Sequence, residues 1–355
     1  MTHPLGGPGD GGPELSCYTA NLVALLDSVR PGFPERFASA VHLAVRPLAT
    51  GATESPETAA LPAAAGEAGG AGATRAGTAL IAFSHHPRLD VLDDGESGHR
   101  ELGYRHASDW IGARAGLRAE LDRFGQVLAV ANSALLPWAP AGPSAVPHWV
   151  RLLDAGRDGW LVEDRFAALL PHGPQPSFHG RLGEPELARM LTPVSPRRAE
   201  VRLRDELALG TYVPVPMDAA YSWLAFGPAR PPHAARAADP ADGWITAPDE
   251  VFGVLAELLA DDASLLGRHL EDLWAASRHQ LFRLGSAGVR AQMGEEAADR
   301  AAAAWSELPM VLRFASASAR RGKPRAGLVR KAFAQLAEAT ADAPGAGLPV
   351  EAVTR

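Results

Sequence analysis

The segment 146–162 constrains the fold more than any other part of the chain. Two apolar runs, Val146-Pro-His-Trp-Val-Arg-Leu-Leu153 and Trp160-Leu-Val162, flank Asp154-Ala-Gly-Arg-Asp-Gly159. That cluster of turn-forming residues between strand-like runs predicts an antiparallel hairpin. Residues 78–83 and 126–131 read as further strands, while 16–27, 34–40 and 104–124 carry helical spacing. Helices and strands interleave without a βαβ repeat, which points to an α+β fold with an antiparallel sheet. After about residue 180 the character changes. Residues 251–259, 265–284, 291–305, 311–318 and 328–337 show helical periodicity, and no strand pattern is evident there. The expected organisation is a flexible terminus at 1–13, an α+β domain at 14–180 and a mostly helical domain at 181–345. Within the first domain, 48–78 is almost wholly Ala, Gly, Thr, Glu and Pro and reads as a disordered insertion.

Composition narrows the function. Of 355 residues, 46% are hydrophobic and 21% charged, enough apolar material for a substantial core. The 34 basic and 41 acidic side chains leave a net charge of −7, which argues against nucleic acid or an anionic membrane as partner. No run approaches the roughly 18 apolar residues of a membrane span, and no signal-peptide pattern opens the chain. Cys17 is the sole cysteine, so an intrachain disulfide and a cysteine-based zinc site are both impossible. The expected setting is cytoplasmic. Gly7-Pro-Gly9-Asp-Gly-Gly12 matches G-x-G-x-x-G formally, but no strand precedes it and prolines interrupt it. His-Glu-x-x-His, Walker and Gly-x-Ser-x-Gly motifs are missing, and neither a metal nor a bound cofactor is expected. His85-His86 reads as a surface pair, and His172 and His179 as residues of a Pro/Gly-rich loop.

Three residues carry a chemical expectation. Ser16 is suited to cap a helix, which places Cys17 in its first turn. There, free N–H groups and the helix dipole favour a thiolate and an oxyanion formed by its attack on a carbonyl. His148 lies 131 residues downstream on a strand, the separation expected of a papain-like Cys/His pair. With the hairpin turn centred on Gly156, position 148 faces position 164, so Asp164 can orient the His148 ring. The alternatives are a buried structural cysteine, a structural histidine and a strand-ending aspartate.

Leu135-Leu-Pro-Trp138, Pro147-His148 and Trp160-Leu-Val-Glu-Asp164, with Cys17-Tyr18 opening an Asn/Leu-containing helix, resemble the N-terminal domain of the butirosin-biosynthesis acyltransferase family. The resemblance covers roughly residues 15 to 170. It implies a papain-like fold in which Cys17 is acylated, His148 is the base and Asp164 its orienting partner. It also implies an acyl carrier protein as partner, bearing the acyl group as a phosphopantetheine thioester, and a small-molecule amine as acceptor. Asn132 stands where an acidic residue is expected, and no Gln stands shortly before Cys17. Backbone N–H groups therefore have to serve the oxyanion, which points away from peptidase activity. Arg320, Arg321, Lys323 and Arg325 form a basic run that reads either as a solvated loop or as a dock for the carrier. The leading expectation is a cysteine acyltransferase of secondary metabolism. The rivals are a thiol peptidase or amidohydrolase on the same triad, and a non-catalytic binding or scaffold protein.

Overall fold

The computed structural model describes residues 15–49, 78–87, 102–140, 145–170, 173–216, 220–227 and 243–341. The expected mobile terminus at 1–13, most of the insertion at 48–78, and His172 lie outside the described residues. The protein is α+β with antiparallel sheets. In chain order the helices are α1 (Cys17–Val29), α2 (Phe33–Ala40), α3 (Trp110–Phe124), α4 (Glu184–Met190), α5 (Ala199–Glu206), α6 (Pro248–Asp261), α7 (Ala263–Arg268), α8 (Leu270–Gly285), α9 (Ala287–Met293), α10 (Glu295–Arg320) and α11 (Ala326–Thr340). The strands are β1 (Ala44–Ala49), β2 (Thr78–Ser84), β3 (Leu102–Ala107), β4 (Val127–Asn132), β5 (Pro147–Gly156), β6 (Gly159–Asp164), β7 (Ala168–Leu170), β8 (Gly173–Gln175), β9 (Phe178–Leu182) and β10 (Tyr221–Phe226).

The chain forms two compact units, each drawn from two stretches: 1–41 with 88–238, and 42–87 with 239–355. The boundary expected near residue 180 falls inside the first unit. That unit is organised on a six-stranded antiparallel sheet of order β3-β10-β4-β5-β6-β9. Its interior strand β10, between β3 and β4, comes from the half expected to lack strands. Tyr-Ser-Trp-Leu-Ala-Phe is buried along most of its length, so it shows none of the apolar/polar alternation that marks a half-exposed strand. The expected helix over 104–124 starts only at Trp110, because Asp109 caps it through Gly112 N at 2.8 Å and Leu102–Ala107 pairs with β10 instead.

One face of this sheet packs on α3 and α4. Ala113, Leu117 and Leu121 of α3 join Leu187 and Met190 of α4 over Val127, Ala129, Val150, Leu152, Trp160 and Val162. Gly116 lets α3 approach closely, since a Cβ there would stand 2.3 Å from a ring carbon of Trp223 on β10. Alanine is the better helix former by about 1 kcal/mol, but the clash outweighs it. Gly116→Ala is expected to lower unfolding free energy by about 1–3 kcal/mol in urea titration.

On the hairpin itself, Arg157 and Asp158 form the turn, with Gly156 opposite Gly159. Gly159 has a φ of +100°, and a Cβ there would meet the Leu182 carbonyl oxygen at 2.4 Å. The turn thus lies beyond the Gly156 centre expected from sequence. A bulge between Leu152 and Asp154 then shifts the ladder to Leu152↔Val162 and Arg151↔Glu163. Continued, it sets Asp164 opposite Val150 and two residues along from His148. The expected direct pairing of 148 with 164 is corrected to this diagonal relation. Two residues preserve parity, so both side chains leave the same face.

The second unit packs α6 to α11 against the β1–β2 pair. Leu43, Val45, Ile81 and Phe83 share a core with Phe252, Leu255, Leu273, Trp305, Leu308, Leu312 and Phe333. Two helices expected at 291–305 and 311–318 are one, α10, with Pro309 inside it. Trp305, Leu308, Leu312 and Ala315 bury one continuous stripe across the proline, and this packing offsets the lost backbone hydrogen bond. The opposite change occurs at 265–284, which is split into α7 and α8 at His269. That ring accepts from Ile81 N–H at 3.0 Å through Nε2 and bonds Asp272 at 2.9 Å through Nδ1, tying α8 to β2. The expected surface pair His85-His86 is also corrected. His86 is buried, and His85 stacks on the buried His279 ring with centroids 4.5 Å apart.

Candidate active site

Within the first unit, α1 brings its N-terminus to the end of β5. Ser16 caps the helix as expected, its Oγ accepting from Thr19 N at 3.4 Å, and Cys17 is the first helical residue. Cys17 is partly exposed. It acts on the His148 ring closely enough to raise its pKa. His148, only 3% exposed, places Nε2 2.8 Å from Oδ2 of the fully buried Asp164. With Nε2 committed to the carboxylate, Nδ1 is the ring nitrogen left for the thiol. Phe166 meets the ring edge-on, with centroids 5.6 Å apart. The structure thus brings together the three residues singled out from sequence.

Asp164 is held by four donors. Oδ2 accepts from His148 and from Trp138 Nε1 at 2.9 Å, and Oδ1 from Asn21 Nδ2 and Phe166 N, both at 3.0 Å. Trp138, the end of the Leu-Leu-Pro-Trp stretch, is itself fixed by a parallel stack on Phe178 at 4.1 Å. A carboxylate this well satisfied cannot rotate freely, so the imidazole it holds has one orientation.

Asn21 is the residue that sequence reasoning missed. It lies one helical turn after Cys17 on the same face of α1. Its Nδ2 reaches Cys17 O at 3.1 Å, Trp149 O at 2.8 Å and Asp164 Oδ1, while its Oδ1 accepts from Arg165 N at 2.9 Å. In the β5–β6 register, Trp149 C=O and Arg165 N–H belong to the next rung after Arg151↔Glu163. The Asn21 amide stands between them. It replaces that rung, parts the two strands where the ladder ends, and fastens the nucleophile's helix to the opening. A polar residue at i+4 from Cys17, on an otherwise apolar buried face, was the available signal. Gln126 also ties α1 to the hairpin, binding Leu25 O at 3.2 Å and accepting at Oε1 from Arg151 at 2.7 Å, while Arg151 pairs with Glu163.

Electrostatics follow this geometry. Burial pulls the His148 ring down, but Asp164 and then Cys17 more than offset it, leaving the group at about 10. Burial pushes Asp164 up, yet His148, Asn21 and the Phe166 N–H bring it below the ordinary carboxylate range. Because the folded His148 value lies above the unfolded value of about 6.5, its contribution to stability is complete below that pH. It is lost as pH rises through about 10. The ring Hε1 resonance is expected to titrate near pH 10, and Asp164→Asn is expected to lower that midpoint by at least about one unit.

Beside the site, Tyr18 donates to Asp205, whose other oxygen accepts from Arg197 Nη1 at 3.2 Å. Burial lifts Asp205 to about 6, against the opposing pull of Arg197 and Tyr18. The stability linked to this proton is full below about pH 4 and is lost as pH rises through about 6. Asp205→Asn, which does not titrate, is therefore expected to gain about 3 kcal/mol relative to the native chain between pH 4 and pH 7.5 in denaturant titrations.

The remaining expected residues lie apart from this cluster. His179 is an exposed residue of β9 with Nδ1 3.8 Å from Glu163. Arg320, Arg321, Lys323 and Arg325 are exposed at the α10–α11 turn of the second unit. The Ser318 hydroxyl organises that turn, donating to Lys323 O at 2.7 Å and accepting from Arg325 Nε at 3.3 Å. Asn132, in place of the expected acidic residue, caps a short 3-10 turn by accepting from Ala134 N at 3.1 Å. Among the described residues, no helix is long and apolar enough to cross a membrane. No family model matches the chain, and no curated protein matches it.

Proposed function

We propose that the protein is a cysteine acyltransferase of secondary metabolism, on a papain-like catalytic domain. It passes an acyl group from the phosphopantetheine thioester of a carrier protein to the amine of a small molecule. The observation that carries this reading is the contrast in burial within the triad. The His148–Asp164 pair is sealed and its carboxylate saturated, while Cys17, which acts on the ring, stays partly exposed. A structural cysteine has no use for such a partner.

In the first half-reaction His148 takes the Cys17 proton as the sulfur attacks the thioester carbonyl. Backbone N–H groups at the start of α1 are the proposed donors to the developing oxyanion. The bond from carbonyl to pantetheine sulfur breaks, and His148 protonates the departing thiol. In the second half-reaction the amine attacks acyl-Cys17, His148 accepts its proton, and the carbon–Sγ bond breaks to release the amide. Asp164 stabilises the imidazolium at each stage. Exchange of a thioester for an amide runs downhill, so no further energy source is required.

Intact-mass spectrometry after mixing with an acyl-loaded carrier protein tests this directly. The expected result is a mass gain equal to the acyl group, localised to Cys17 and discharged by an amine. Rapid cleavage of simple amides, with no carrier needed, favours the hydrolase reading instead. An unmodified Cys17 in both assays removes the catalytic reading.

A further inference from the structure

The outward stripe of α10 is not explained by the proposed chemistry. Positions 296, 299, 303, 307, 310, 314, 317 and 321 are spaced by three or four, so they lie along one side of a helix. Seven of the eight are exposed and Ala317 is half-buried. At the centre Met310 is 69% and Phe314 51% exposed, two of the few large apolar side chains that the described residues leave so open. Towards the N-terminus the stripe is acidic, with Glu296, Asp299 and Glu307. Glu295 beside it and Asp299 share one guanidinium, Arg290, so this end keeps a net negative charge. Towards the C-terminus it ends at Arg321, next to Arg320, Lys323 and Arg325.

This order of charges decides what fits. A parallel copy of the helix would set acid against acid and base against base. An antiparallel copy sets each end against its opposite and brings the apolar centres together. A two-fold axis passing near Leu312 places Met310 opposite Phe314 of the other copy. The same axis places Arg321 of the other copy opposite Ala303, where a small side chain leaves room between Asp299 and Glu307. The surface is thus complementary to itself, which is the condition for an isologous interface. From this we infer that the protein forms a two-fold dimer through antiparallel α10 helices, with the basic turn binding the acidic end of the second copy rather than another partner.

Sedimentation velocity of the full chain over a concentration series, at low and high salt, tests this. The native protein is expected to be dimeric at tens of micromolar, with the dissociation constant rising at least tenfold in high salt. Met310→Glu combined with Phe314→Glu is expected to give a monomer with unchanged circular dichroism and thermal unfolding, since both positions face solvent in the single chain. Arg321→Glu is expected to weaken the dimer at least tenfold, and adding Glu307→Arg to restore it to within about threefold. A native chain that stays monomeric overturns the inference, as does a dimer indifferent to the Met310/Phe314 pair. So does an Arg321→Glu defect that appears only as lost affinity for an acidic carrier protein, which would assign the face to that partner.

Discussion

Cys17→Ser is expected to lower amide formation from a carrier thioester by roughly 10³-fold or more, with no detectable acyl-enzyme. A serine hydroxyl in the same place has the base but is a much poorer nucleophile toward a thioester. His148→Ala is expected to cost about as much, and the double variant little more than either single one. Residues that act as one device lose their function together, so their effects do not add. Asp164→Asn is expected to lie between native and Cys17→Ser, at about 10²–10³-fold, because the ring keeps its packing against Phe166 but loses the charge that stabilises its protonated form. Initial rates at saturating and limiting acyl-carrier concentration measure these effects and separate chemistry from binding.

The second large effect is on stability. Asn21→Leu is expected to cost roughly 3–5 kcal/mol in denaturant unfolding, with little change in the slope of the transition. Leucine fills similar space, but it leaves the Arg165 N–H and Trp149 C=O without the amide that joins them. It also removes one of the four donors to Asp164. The two strands then have to re-form the missing rung, which moves His148 relative to Cys17, or leave buried polar groups unsatisfied. The folded fraction of this variant is accordingly expected to turn over at least about tenfold more slowly than the native protein. Asn21→Asp is a stringent companion, since it retains the size but sets a second carboxylate against Asp164.

Local signals explain which parts of this arrangement were legible in sequence. Ser16 reads as an N-cap because its hydroxyl satisfies a backbone donor whatever the tertiary context, and the position of Cys17 follows. The hairpin around Arg157-Asp158 is similarly local. The relation between His148 and Asp164 survived an error in register because the displacement was an even number of residues. An odd displacement would have sent the two side chains to opposite faces. By contrast, β10 is covered on both faces and carries no periodic pattern to read. The union of two expected helices across Pro309 is decided by burial on both sides of the proline. Asn21 acts through backbone groups of residues 149 and 165, so its polarity one turn after Cys17 was legible but the strands it joins were not.

If His148 and Asp164 make Cys17 a working nucleophile, its reactivity reports it. Iodoacetamide labelling at neutral pH, followed by mass spectrometry, should modify native Cys17 at least about tenfold faster than the same residue in the denatured chain. His148→Ala should remove that advantage. A native Cys17 that labels more slowly than the denatured one, with or without His148, would show that the pair does not activate it.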